Sequence, residues 1–265
     1  MTIPFTKAHG ARNDFLLTWR HSLPVENIDL EKTAQAICTR HTGVGADGWL
    51  LVSGKSENAD GAIELWNSDG SRSEISGNGT RCAAAFLLDA GLANEDIRIA
   101  TGAGVKHLRL LEHHGNNFSF EMNMGTPHIE ELHATFEDRD GVILNVGNPQ
   151  CAFFVDDFDF DWVAVGGRME RHPRFPNRTN VSFVRVVDSH TIDVRFFERG
   201  AGETMSSGTG STGAAAAAVA RKLIVPPVRV LTQAGPLDLR WGDTDIFLAG
   251  PAELIARGEF LLNQE

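Results

Sequence analysis

The chain reads as an α+β protein built from two similar halves, each a β-rich body around one buried helix. Three observations predict this. The first is an internal repeat. Ser76-Gly77-Asn78-Gly79-Thr80-Arg81-Cys82-Ala83-Ala84-Ala85 is echoed by Ser207-Gly208-Thr209-Gly210-Ser211-Thr212-Gly213-Ala214-Ala215-Ala216, at an offset of 207 − 76 = 131 in a chain of 265 residues. The second is that each copy follows a Gly- and acid-rich stretch and opens an Ala run, a strong helix former flanked by small residues on every side. The third is that most of the remaining sequence falls into short alternating or apolar runs of strand character.

Taken in order, a helix is predicted over Leu30 to Thr39 with Asp29 as its N-cap. A strand follows at Ala62–Trp66. The first Ala helix runs from Ala83 to Leu88 and ends near Gly91. Phe118–Met122 is the next strand, and turn residues cluster at Gly125-Thr126-Pro127, where the halves join. Strands are predicted at Cys151–Val155, Val181–Val184 and Thr191–Phe196, with the acidic run Asp156 to Asp161 between them as an exposed turn. The second Ala helix spans Ala214 to Leu223, stopped by Pro226, and Thr244–Leu248 is a further strand.

With 24 Lys+Arg against 35 Asp+Glu the net charge is −11, so no basic field would steer in a nucleic acid or an anionic membrane. No apolar run reaches the roughly 18–20 residues of a membrane span. The start, Met1 to Lys7, lacks the apolar stretch of a signal peptide. The three cysteines, Cys38, Cys82 and Cys151, are too few and too scattered for a disulfide framework or a zinc cage. A reducing, cytoplasmic setting is expected.

The chemistry is sought at the repeated helix starts. A helix N-terminus presents unpaired N–H groups and the positive end of a dipole, and glycine lets a ligand approach that backbone closely. Ser-Gly-x-Gly at such a place is an anion cradle. Two cradles, one per half, meeting across a cleft would hold one small carboxylate between Ser76 and Ser207. Taken singly, either serine reads as a plain N-cap. Gly208-x-Gly210-x-x-Gly213 has the form of a dinucleotide fingerprint but lacks the directly preceding strand and the acid about 20 residues later. His128 and His133 are five apart, not the i, i+4 of a zincin helix, and no metal site is read. Cys82 sits more than a turn inside its helix and reads as core.

Ordered blocks along nearly the whole chain now carry a resemblance. They are Lys7–Phe15 (KAHGARNDF), Arg40–Gly48 (RHTGVGADG), Asn67–Ser71 (NSDGS), Gly77–Cys82 (GNGTRC), Gly147–Cys151 (GNPQC), Asn180–Val181, Glu198–Thr204 (ERGAGET) and Gly208–Gly210 (GTG). The pattern resembles the diaminopimelate epimerase family. The resemblance implies two similar halves, each a β-sheet or barrel wrapped around a central helix, with the active site in the interdomain cleft. It sets the halves at residues 1–124, completed by a C-terminal strand at about 257–265, and 125–256. It also implies cofactor-independent interconversion of LL- and meso-diaminopimelate on the way to lysine, a small amino-acid substrate, and a homodimer. In the family, one cysteine takes the α-proton and a second delivers a proton to the opposite face.

The sequence departs from that pattern at both positions, which are Ser76 and Ser207 here. A hydroxyl is a far weaker acid than a thiol, and neither serine has a partner base evident in sequence. The substrate-holding positions are retained: by the resemblance Asn13, Asn67, Gly77, Asn78, Asn148, Asn180, Glu198, Arg199, Gly208 and Thr209 bind the amino acid. Each Asn alone reads as a turn former. Gln150 stands where the family usually has His. Several readings share this site: a natural epimerase using serines, a Cys-to-Ser form of an active enzyme, a relative acting on another small carboxylate, or an amino-acid-binding pseudoenzyme.

Overall fold

The computed structural model describes residues 1–25, 28–136 and 139–262. The chain divides into two compact units, Met1–Met122 together with the segment from Gly250 onward, and Asn123–Ala249. The first unit contains, in order, β1 (Thr2–Gly10), β2 (Asn13–Trp19), α1 (Leu30–Cys38), β3 (Gly48–Ser53), β4 (Gly61–Asn67), β5 (Arg72–Ser73), α2 (Gly77–Asp89), β6 (Asp96–Thr101), β7 (Gly104–His114) and β8 (Asn117–Gly125), whose end enters the second unit. The second continues with β9 (His128–Phe136), β10 (Arg139–Asn145), β11 (Pro149–Phe154), α3 (Trp162–Glu170), β12 (Asn180–Asp188), β13 (Thr191–Glu198), β14 (Gly202–Thr204), α4 (Gly208–Ala220), β15 (Val228–Thr232) and β16 (Gly235–Trp241); β17 (Ile246–Leu261) returns to the first. The expected C-terminal strand is the latter part of β17, and its residues 263–265 lie outside the described residues.

The first unit is a closed barrel of eight strands in the order β17-β1-β2-β3-β4-β6-β7-β8, β8 pairing back onto β17. Helix α2 fills it, packed against β1, β2, β3, β4 and β6. Helix α1 lies on β3 and β4, where Ala34, Ile37 and Cys38 join Trp49 and Leu51 in a core. The second unit repeats the pattern. Antiparallel β10–β11, parallel β11–β12, antiparallel β12–β13, parallel β13–β15 and antiparallel β15–β16 match β1–β2, β2–β3, β3–β4, β4–β6 and β6–β7. Helix α4 takes the place of α2 and α3 that of α1. The fold class read from the repeat is therefore the observed one, an α+β chain of two similar units, each a sheet wrapped around a central helix.

The Ala runs explain how a helix can sit inside a sheet. From Ala214 to Ala218 exposure never exceeds 5 %, and Ala83 to Ala85 are fully buried. Side chains of one carbon let strands approach on all sides. Both inner helices end with a left-handed residue, Gly91 (φ +70°) and Lys222 (φ +59°), again 222 − 91 = 131 apart. The N–H groups of Gly91 and Leu92, and of Lys222 and Leu223, turn back onto the last helical carbonyls. The second helix therefore stops at Ala220, not Leu223 as expected, because Lys222 reverses the chain.

One helix was not foreseen, and one strand boundary moves. Residues Trp162–Glu170 form α3, capped by Asp161, whose side chain accepts from Ala164 N at 3.0 Å. Gly166 and Gly167 hid it, since glycine is a poor helix former; a Cβ on Gly166 would sit 2.7 Å from Phe197 Cβ, so close packing explains the residue. The strand expected from Thr244 begins at Ile246. Asp245 instead caps a turn, accepting from Asn123 Nδ2 at 2.9 Å and Thr126 Oγ1 at 2.8 Å.

Candidate functional site

Each unit presents one constellation at the N-terminus of its inner helix. In the second unit Ser207 is the N-cap of α4, in an extended conformation (φ −136°, ψ 125°), and its Oγ accepts from Gly210 N at 3.0 Å. The same oxygen donates its proton to Glu198 Oε1 at 2.6 Å. Thr204 Oγ1 donates to the other carboxylate oxygen at 2.8 Å. A carboxylate partner for the Ser207 hydroxyl, not evident in sequence, is thus present nine residues upstream. It is brought there by the β13–β14 hairpin, in which Glu198 pairs with Gly202 and Phe196 with Thr204. Gly200 (φ +80°) and Gly202 (φ +79°) make that reversal possible, and Gly-x-Gly after a strand is the sequence sign of it.

Buried Glu170, 1 % exposed, holds the same turn by accepting from Gly200 N at 3.3 Å while paired with Arg171 (2.9 Å) and Arg178 (3.3 Å). Sequence reasoning missed it. The neighbouring amides are each oriented by the protein. Asn180 Oδ1 accepts from Arg199 N at 3.0 Å and its Nδ2 donates to Pro149 O at 2.9 Å. Asn148 Nδ2 donates to Thr209 Oγ1 at 3.3 Å, and Gln150 Nε2 donates to Asn148 Oδ1 at 2.7 Å. Exposed Arg199 reaches Asn177 O through Nη1 at 3.4 Å. Gly210 has room for no side chain, since a Cβ would lie 2.7 Å from Phe196 Cδ1 and 2.9 Å from Ser207 Oγ.

In the first unit Ser76 caps α2 in nearly the same conformation (φ −131°, ψ 123°), accepting from Gly79 N at 3.1 Å. Thr80 Oγ1 donates to Ser76 O at 2.7 Å. Asn78 at the helix start donates through Nδ2 to Asn13 Oδ1 at 3.2 Å, the counterpart of the Thr209–Asn148 contact. The counterpart of Glu198 is Asn67, since 198 − 131 = 67 and the two residues end β13 and β4. Asn67 Nδ2 donates to Ser71 Oγ at 3.0 Å, the turn-forming role its type suggests. The carboxylate beside one serine therefore corresponds to an amide in the other unit.

Fully buried Arg81 donates to Asn78 Oδ1 and, from Nε, to Pro251 O at 3.1 Å. Burial pulls its guanidinium down to about 10, opposed by the Coulombic effect of Cys82. Cys82, also fully buried, is core as expected, and burial pushes its thiol up to about 12. Cys38 is likewise pushed up to about 12 and Cys151 is raised, in each case chiefly by burial. None of the three thiols supplies a thiolate near neutral pH. Among the described residues no group of three or more His, Cys, Asp or Glu is placed to hold a metal, and no helix is long and apolar enough to cross a membrane. His128 and His133 lie on β9, so the zincin spacing finds no helix.

The family model for diaminopimelate epimerase matches residues 5–130 and 142–255. The chain belongs to the diaminopimelate epimerase family. Its relatives include the diaminopimelate epimerase of Pelotomaculum thermopropionicum, 38% identical over 97% of this chain and 98% of that one. The diaminopimelate epimerase of Moorella thermoacetica is 37% identical over 98% and 99%. Two solved structures share the fold. A phenazine biosynthesis protein of the PhzF family from Bacillus anthracis superposes with TM-score 0.75 at 16% identity, covering 99% of this chain and 100% of that chain. A hydroxyproline epimerase from Agrobacterium vitis with bound trans-4-hydroxy-L-proline gives 0.72 at 15% identity, covering 97% and 90%. The two-unit fold of this family member is that of known epimerases.

Proposed function

We propose that this member of the diaminopimelate epimerase family is a cofactor-independent isomerase that interconverts LL- and meso-diaminopimelate by proton transfer at the α-carbon, with Ser207 serving one face and Ser76 the other. The observation that carries the mechanism is the 2.6 Å contact from Ser207 Oγ to Glu198 Oε1 at a helix N-terminus.

An isolated serine is too weak an acid to wait as an alkoxide at neutral pH. A helix dipole contributes roughly 0.3–2 kcal/mol, at most about 1.5 pKa units, which does not bridge that gap. A relay does. As the substrate C–H bond breaks, its proton passes to Ser207 Oγ while the serine proton passes to Glu198 Oε1. The resident base is then a carboxylate, and Ser207 is the neutral link. The electron pair left at the α-carbon spreads into the substrate carboxylate. The N–H groups of a helix's first turn, at Gly77 or at Gly208 and Thr209, suit that developing charge. Ser76 hydroxyl then delivers a proton to the opposite face and regains one from water, and the hydroxide so formed takes the proton that Glu198 releases. Asn13, Asn67, Asn148, Asn180 and Arg199 hold the rest of the amino acid, Arg199 offering a guanidinium for its distal carboxylate. The homodimer and cytoplasmic setting of the family belong to the same reading.

Asn67 favours a second reading, amino-acid binding without turnover, because it puts an amide where the other unit has Glu198. Solvent deuterium incorporation at the α-carbon, followed by NMR from LL- and from meso-diaminopimelate, tests both. The isomerase exchanges both epimers, faster from the one whose α-proton faces Ser207. Calorimetric binding with no exchange over days establishes the pseudoenzyme instead.

A further inference from the structure

The epimerase reading places Asn13 on the substrate but leaves open what holds its amide in one orientation. Oxygen and nitrogen of an Asn side chain are nearly alike in shape, so an amide at a binding site is useful only if a flip is costly. Here both ends are pinned. Asn13 Oδ1 accepts from Asn78 Nδ2 at 3.2 Å, and Asn78 is itself oriented because Arg81, which is a donor only, takes its Oδ1. At the other end Asn13 Nδ2 donates to Asp47 Oδ2 at 2.7 Å, an acceptor only. The hydrogen bonds thus run one way, from a buried cation through two amides to a carboxylate.

Asp47 is held in turn. Its Oδ1 accepts from Arg40 Nη2 at 2.7 Å, and its Oδ2 also accepts from Asp14 N at 3.2 Å. Arg40 Nη2 bridges to Asp14 Oδ1 at 2.8 Å, and Lys7 Nζ lies 3.0 Å from Asp14 Oδ2. The Asp47 side chain is 43% exposed, so core packing does not account for it. In the second unit the corresponding Asn148 is oriented by a neutral Gln150 and by Thr209.

We propose that Asp47, braced by Arg40, is a positioning residue that fixes the Asn13 amide so that one N–H and one lone pair remain aimed at the bound amino acid. This rests on the epimerase reading of the site. The test measures diaminopimelate affinity of the full chain by calorimetry, with KM and kcat alongside, for Asp47→Asn, Arg40→Met, Asn13→Ala and the Asn13→Ala/Asp47→Asn pair. Asp47→Asn can present either a donor or an acceptor to Asn13, so affinity is expected to fall about tenfold, read as KM with kcat little changed, while the melting temperature stays within a few degrees. Arg40→Met is expected to weaken binding in the same sense. The double variant should bind no more weakly than Asn13→Ala, because Asp47 acts through that amide. A weakened Asn13→Ala beside an unchanged Asp47→Asn, or losses that simply add, overturns the positioning role and leaves the epimerase reading intact. An Asn13→Ala variant that binds as the parent does overturns the placement of Asn13 at the substrate, and the inference with it.

Discussion

Replacing Glu198 by Gln separates the proposed catalytic use of Ser207 from its structural one. Ser207 Oγ accepts from Gly210 N as the helix cap and donates to Glu198 as the relay link. Gln at 198 keeps an oxygen able to accept the hydroxyl proton and leaves the cap untouched, but it removes the base. A hydrogen bond to a charged group contributes about 1.5–3 kcal/mol, of which a neutral acceptor recovers a large part. The remaining loss of about 1 kcal/mol lowers the melting temperature by roughly 2–4 °C in a chain of this size and leaves it folded at 25 °C. Loss of a general base costs about 10²–10⁴ in rate, equivalent to roughly 3–5 kcal/mol of barrier. Deuterium incorporation from each epimer in D2O, followed by the α-proton NMR signal, should therefore slow by two to four decades while thermal unfolding barely moves. Ser207→Ala breaks the same relay at its other link, so the double variant should be little slower than either single one. Exchange in Glu198→Gln within about threefold of the parent refutes the carboxylate relay.

Three further outcomes follow from the same structure. Gly210→Ala drives a methyl to 2.7 Å from Phe196 and should destabilise the chain by about 1–3 kcal/mol, seen as a lower urea midpoint; an unchanged midpoint would show that α4 can shift freely. Cys82→Ala should leave the pH dependence of exchange unaltered, since burial pushes the thiol up to about 12; loss of an inflection near the ordinary thiol pKa of about 8.5 would reinstate Cys82 as a reactive group. Asp14 is pushed up by burial, but hydrogen bonds and charges from Arg40 and Lys7 together hold it below its ordinary 3.8. A depressed native pKa stabilises the fold above the unfolded value and loses that contribution as pH falls through the native one. Asp14→Asn should therefore flatten the stability decline below about pH 4, and an equally steep decline in urea midpoints would contradict the assignment.

The sequence alone settled whatever depends on neighbours a few residues apart. Helix α1 appears where Asp29 and its apolar spacing put it, and both inner helices begin at serine caps whose oxygens accept from the third residue onward. The repeat at 131 residues carried the two-unit architecture because the same strand and turn preferences act twice on similar segments. Helix α3 escaped because its two glycines answer to Phe197 across the fold, a demand that local propensity cannot register. Tertiary structure decided which side chains meet. Glu198 reaches Ser207 only after a hairpin reverses the strand, and Asn13 joins Asp47 and Asn78 across separations of 34 and 65 residues. Such contacts follow from strand register and from the packing of a helix against several strands at once. They place a carboxylate beside the Ser207 cap, although the two caps read almost alike along the chain.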